Sequence, residues 1–237
     1  MRTRSREPQP LAGTGALDRV ARILAARDID PTALTVAPTV AEAPDAYAPL
    51  DVLQARMLPR YRNAVADHPQ VLAWCREVAA QAVAPGIGAR RQVATGPSLL
   101  MAGVVGAGKT HQAYGALRAL AEAGVGVRWR ATAAADLYAE LRPRTGVDTE
   151  RELAAVARVP LLILDDLGAA KASEWTEEIT YRLINRRYNH MLPTLITTNL
   201  AIGDLRAHVG DRVASRLAQM TTKVAFDLVD RRRTRAA

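Results

Sequence analysis

The chain has 237 residues, 49% of them hydrophobic, and a formal net charge of +8. That is room for one full α/β domain and a smaller appendage, while no apolar run approaches the roughly 18 residues that a membrane span needs. The single cysteine, Cys75, excludes an internal disulfide and a cysteine-based zinc site. The basic start MRTRSREPQPLAGTG has no apolar signal-peptide core, so a cytoplasmic location is expected.

The positive charge is concentrated at the two ends. Arg2, Arg4, Arg6, Arg231, Arg232, Arg233 and Arg235 account for most of it, leaving about +1 for everything between. Any nucleic-acid site on the folded part is therefore a local patch, and the tails read as solvated or as salt-sensitive phosphate contacts.

In chain order, ALDRVARILAAR (Ala16 to Arg27) places Leu17, Val20, Ala21 and Leu24 on one helical face. Pro31, Pro38, Pro44 and Pro49 then mark an extended linker. Helical material is expected from Asp51 to Ala82, followed by a loop, PGIGARRQVATG. From Pro97 onward, five short apolar segments read as strands: SLLMAG, GVRWRAT, LLILDD, TLITTN and KVAFDLV. Helices are expected to start near Lys109, Ala133, Thr149, Ser173 and Ala201. Strands separated by helices imply a mostly parallel sheet covered on both faces, with ligands beyond the carboxyl ends of the strands. The expected division is a tail, helix and linker over 1–50, a helical connector over 51–96 and the main domain over 97–237.

GVVGAGKT, Gly103 to Thr110, fits the phosphate-binding pattern G-x-x-x-x-G-K-[ST] at every fixed position. Its glycines let the backbone turn and aim N–H groups at phosphate oxygens, and the next helix adds its positive end. The expected nucleotide-binding set is Gly103, Val104, Val105, Gly106, Ala107, Gly108, Lys109, Thr110 and His111. Lys109 is to reach the β- and γ-phosphates, and the Thr110 hydroxyl is to bind Mg²⁺. The chain has 29 arginines and three lysines, so a lysine at the one position that requires it adds modestly to the match.

LLILDD delivers two carboxylates at the end of a buried strand. Asp165 is the expected metal partner, and Asp166 the residue that orients or deprotonates an attacking water. Asn199, closing TLITTN, either bonds the water or the γ-phosphate, or caps the helix near Ala201. Arg212 and Arg216 lie four residues apart in GDRVASRLAQM, on a solvated face or facing a neighbouring subunit's γ-phosphate. His68, His111, His190 and His208 show no metal-ligand spacing.

Together, RYRNA, LLILDDLG, YRLINRRYNHMLPTLITTNL and GDRVASRL resemble the AAA+ helicase loaders of the DnaC/DnaI family and the related IstB transposition helpers. The resemblance runs from about Arg60 to the end. It implies a P-loop NTPase fold of the AAA+ (ASCE) type, a three-layer α/β arrangement around a parallel sheet without a C-terminal lid, preceded by a small helical region. It further implies an Mg-dependent ATPase with Asp166 in the catalytic glutamate's place, Asn199 as sensor, and Arg216 as arginine finger assisted by Arg212. The implied partners are a replicative hexameric helicase docked by the N-terminal helices, single-stranded DNA, and further copies of the chain joined through the ATP site.

The expected DNA segment, ATAAADLYAELRPRTGVDTERELAAV, reads as two helices around a turn. Tyr138, Arg142 and Arg144 are the candidates there, with Arg128, Trp129 and Arg130 as an alternative patch. Core positions for Trp129 and Tyr138 are an equal reading, so the basic residues are preferred. The function expected is loading of the replicative helicase onto single-stranded DNA. Transposition helper is the alternative, and a nucleotide switch with little turnover is a third reading.

Overall fold

The computed structural model describes residues 48–146 and 148–226. The expected helix at Ala16 to Arg27, the proline-rich linker before residue 48 and the C-terminal arginines lie outside the described residues.

Five parallel strands form one sheet: β1 Ser98–Ala102, β2 Trp129–Ala133, β3 Leu161–Asp165, β4 Thr194–Thr198 and β5 Thr221–Ala225, in the order β2-β3-β4-β1-β5. Of the three central strands, β1 and β3 are near-continuous apolar runs and β4, TLITT, is buried throughout, because both faces are covered. Alternate residues go to opposite faces. Leu99, Met101, Leu161, Ile163 and Leu195 enter one core, and Leu100, Leu162, Leu164 and Ile196 the other.

The first core is roofed by α1 (Ala48–Ala55), α2 (Pro69–Gln81) and α3 (Lys109–Glu122), which bring in Leu53, Trp74, Val78, Leu117 and Leu120. Residues within the expected helical connector, 51–96, thus contribute core side chains against the sheet. The second core is roofed by α4 (Ala134–Glu140), α5 (Thr149–Arg158), α6 (Glu174–Asn189), α7 (Leu205–Val209) and α8 (Asp211–Met220). No helix among the described residues is long and apolar enough to cross a membrane.

The helical stretch expected from Asp51 to Ala82 is broken. α1 ends at Ala55, a 3₁₀ turn covers Pro59–Tyr61, and α2 starts at Pro69. Each proline lacks an N–H and disfavours helix in the residue before it, so each sits at a helix start. His68 caps α2, accepting from Gln70 N at 3.3 Å. The helix expected near Ala201 begins instead at Leu205, with Asp204 as its N-cap. The last strand starts two residues before the expected KVAFDLV, at Thr221 directly after α8.

Arg187 of α6 is fully buried, and its hydrogen bonds go to a hydroxyl and to backbone carbonyls. Its guanidinium donates to Thr194 Oγ1 (2.7 Å), Val159 O (2.8 Å), Pro193 O (2.8 Å) and Ala157 O (3.3 Å). One side chain thus ties α6 to the end of α5 and the start of β4. Burial pushes its pKa down to about 9, which still leaves it charged at neutral pH.

The two aromatic candidates for DNA stacking are core residues. Trp129 is buried, with its ring edge-on to Tyr114 at 6.0 Å. Tyr138 is buried, and its hydroxyl pairs with Thr180 Oγ1 at 2.6 Å. Neither ring face is available to a base. Arg128, Arg142 and Arg144 are exposed, while Arg130 is half-buried and paired with Glu140 at 2.6 Å.

Candidate nucleotide site

The strand order places the site. β4 lies between β1 and β3, so residues leaving β4 fall between the loop after β1 and the acids after β3. A cleft of about 860 Å³ opens there, lined by the phosphate-binding loop, Asp165, Asp166, Thr197 and Asn199. Arg60, Tyr61 and Asp67 line it as well.

The loop from Gly103 to Gly108 joins β1 to α3. Gly106 and Gly108 have φ of +85° and +93°, left-handed values that glycine adopts without a Cβ clash. Gly108 is the N-cap of α3, so the loop feeds directly into the helix's positive end. Lys109 is 6% exposed, and its Nζ donates at 2.8 Å to Gly103 O, Val104 O and Asn199 Oδ1.

Thr110 and Asp165 meet across 55 residues of sequence. The threonine hydroxyl donates to Asp165 Oδ1 at 2.9 Å. Hydroxyl and carboxylate oxygens at the mouth of a phosphate cradle are the donor set that suits Mg²⁺, which binds one or two protein oxygens together with substrate phosphates. Among the described residues no group of three or more His, Cys, Asp or Glu side chains forms a metal cage. The residues therefore fit a metal that arrives with a nucleotide.

Asp166 follows the strand with φ +57°, a conformation few non-glycine residues adopt. Its backbone N–H donates to Thr197 Oγ1 at 2.8 Å, and Asn199 Nδ2 donates to its carboxylate. Burial, and then the neighbouring Asp165 charge, raise the Asp166 pKa above the ordinary carboxylate value, while Lys109 opposes the shift. Asn199 thus joins Lys109 to Asp166 and does not cap the next helix.

Thr197 is the residue that the sequence reading misses. Its hydroxyl donates to Asp165 Oδ1 while accepting from Asp166 N, so one buried side chain holds both acids. A threonine on β4, two residues before Asn199, carries the signal, because alternate positions along the strand share a face. Gln112, also unforeseen, is 1% exposed and accepts from the N–H groups of Asp67 and His68 at 3.1 Å each. His111 accepts from Val65 N at 3.2 Å, so its ring contacts the chain before α2.

Arg212 and Arg216 are not among the residues lining this chain's cleft. They project from α8 beside α6, with their guanidinium carbons 3.5 Å from the Tyr181 ring centre and 4.5 Å from that of Tyr188, respectively.

Residues 89–224 match the family described as IstB-like ATP binding protein. The replicative helicase loader DnaC of Escherichia coli (strain K12) is 26% identical over 123 residues, 51% of this chain and 49% of that protein. The chain therefore spans about half the length of the curated relatives it matches. The crystal structure of the DnaC helicase loader has a TM-score of 0.58 at 28% identity, covering 72% of this chain and 100% of that one. The replication initiator DnaA bound to AMPPCP and single-stranded DNA has a TM-score of 0.57 at 20% identity, covering 73% and 52% respectively. That last likeness is one of fold.

Proposed function

This chain belongs to the IstB-like ATP-binding family, and from that premise we propose that it hydrolyses ATP to load a replicative hexameric DNA helicase onto single-stranded DNA. One observation carries the choice of loader: the similarity to the solved DnaC helicase loader extends over the whole of that chain at 28% identity.

In the proposed reaction the backbone N–H groups of the loop and the Lys109 ammonium take the β- and γ-phosphates. Thr110 and Asp165 would hold Mg²⁺, which when bound neutralises charge across those phosphates. Asp166 orients a water and accepts its proton as the water oxygen attacks the γ-phosphorus and ADP leaves. A carboxylate with a raised proton affinity is better suited to that transfer than an ordinary one. Asn199 keeps Asp166 in register with Lys109. Arg216, assisted by Arg212, supplies positive charge to the γ-phosphate of a neighbouring copy, so assembly completes the site.

Capture of the cognate replicative helicase, with and without ATP, tests the assignment. Association is expected, and its absence under both conditions would overturn the loader reading. The IstB-like family match leaves one second reading, that of a transposition helper acting on duplex DNA with a transposase. The two separate on salt dependence, with log–log slopes of about −0.7 per neutralised phosphate on single strands and about −0.9 on duplex.

A further inference from the structure

Tyr181 and Tyr188 lie seven residues apart on α6, and Arg212 and Arg216 lie four apart on α8. Each spacing brings its pair onto one helical face. The two helices pack through Leu183, Val213 and Leu217, leaving the four polar residues on the rim of the contact. Arg212 stacks on the Tyr181 ring and Arg216 on the Tyr188 ring.

The anchoring is more specific than two surface contacts. Arg216 Nε donates to Asn185 Oδ1 at 3.2 Å, and Asn185 sits between the two tyrosines on α6. The Tyr188 hydroxyl donates to Gln219 Oε1 at 2.8 Å, on the same side of α8. The carboxylate paired with Arg212 is that of Glu178 at 3.7 Å, with both side chains more than half exposed. Arg212 in turn draws the Tyr181 pKa down. A ring face holds a guanidinium without neutralising its charge. A close carboxylate partner would occupy its N–H groups.

Resting on the reading of Arg216 as a finger acting between copies, we propose that Tyr181, Tyr188 and Asn185 are positioning residues. They hold Arg212 and Arg216 charged on the α6–α8 face, and that face receives the γ-phosphate end of a second copy's nucleotide cleft.

The test is steady-state ATPase of the full chain on a single-stranded oligonucleotide, for single variants and for mixtures with Asp166→Ala. Tyr188→Leu is expected to lower kcat at least tenfold with KM for ATP unchanged, because its own cleft is intact. Tyr188→Phe keeps the ring face and is expected to stay within threefold of the parent. Tyr181→Leu provides a second variant with the same expected direction. Mixing Tyr188→Leu with Asp166→Ala is expected to restore activity, since one interface then combines an intact acid with an intact arginine.

Parental kcat in both leucine variants would overturn the proposal, as would a fall in Tyr188→Phe equal to that in Tyr188→Leu. The Arg216→Ala and Asp166→Ala mixture separates the two levels. If it regains activity while Tyr188→Leu with Asp166→Ala does not, positioning fails and the finger stands. If it does not regain activity, the finger reading fails and the positioning role falls with it.

Discussion

Replacing Thr197 with valine keeps the side chain's shape and removes one hydroxyl. That hydroxyl is in a 2% exposed residue, donates to Asp165 and accepts from the backbone of Asp166 at 2.8 Å. Leaving a buried N–H without its acceptor costs about 1–3 kcal/mol, and a hydrogen bond to a carboxylate is worth about 1.5–3 kcal/mol. Both acids border the cleft, so water recovers part of this, and about 2 kcal/mol of net destabilisation is a reasonable figure. The same bond holds Asp166 at φ +57°, a conformation that costs about 1–3 kcal/mol to maintain. Without it the carboxylate moves off line, and about 2 kcal/mol less transition-state stabilisation is a roughly 30-fold lower kcat. KM for ATP should change little, because the phosphate-binding loop is untouched. Urea unfolding and steady-state ATPase measure the two parts separately. A variant with parental kcat and an unchanged unfolding midpoint would refute the claim that Thr197 holds the acid pair.

Arg187→Met should destabilise the fold by about 3–5 kcal/mol, since four acceptors, three of them buried, are left without their donor, and lower Tm by roughly 10 °C; a change under about 3 °C would count against the tie. Burial raises the Cys75 pKa to about 12, so iodoacetamide at pH 8 should label it only after unfolding. The folded pKa lies above the ordinary 9.0, so the unfolded chain releases the proton first and stability falls as pH rises from about 9 towards 12. Denaturation midpoints of Cys75→Ala should lack that component of the alkaline decline. Arg142→Ala with Arg144→Ala should reduce the magnitude of the single-strand salt slope by about 0.7 for each phosphate that is no longer neutralised, whereas Tyr138→Phe should leave it unchanged. An unaltered slope in the arginine variant would place the DNA-binding surface elsewhere.

The parts of the site legible in the sequence are those whose chemistry fixes local spacing. GVVGAGKT carries its turn, its amine and its hydroxyl within eight residues, and LLILDD carries its acids at the end of the strand that buries them. What sequence left open depends on the order of strands. Only when β4 lies between β1 and β3 does Asn199 meet both Lys109 and Asp166, and only then does Thr197 face the acids rather than fill a core. Pro59 and Pro69 divide a stretch that the sequence analysis takes as helical from Asp51 to Ala82, and their missing N–H groups are the signal that it passes over. Tyr138 and Trp129 sit in apolar surroundings assembled from distant segments, which their neighbours in sequence do not reveal.

Gly115 has a mechanical consequence. A Cβ there would lie 2.3 Å from Ala66 N and 2.4 Å from Val65 C, so the chain ahead of α2 rests directly on the backbone of α3. One turn earlier on α3, Gln112 and His111 clasp the N–H groups of Asp67, His68 and Val65. The strap formed by residues 65–68 therefore has no slack. Its contacts fall on the first turns of α3, the helix that begins with Lys109 and Thr110.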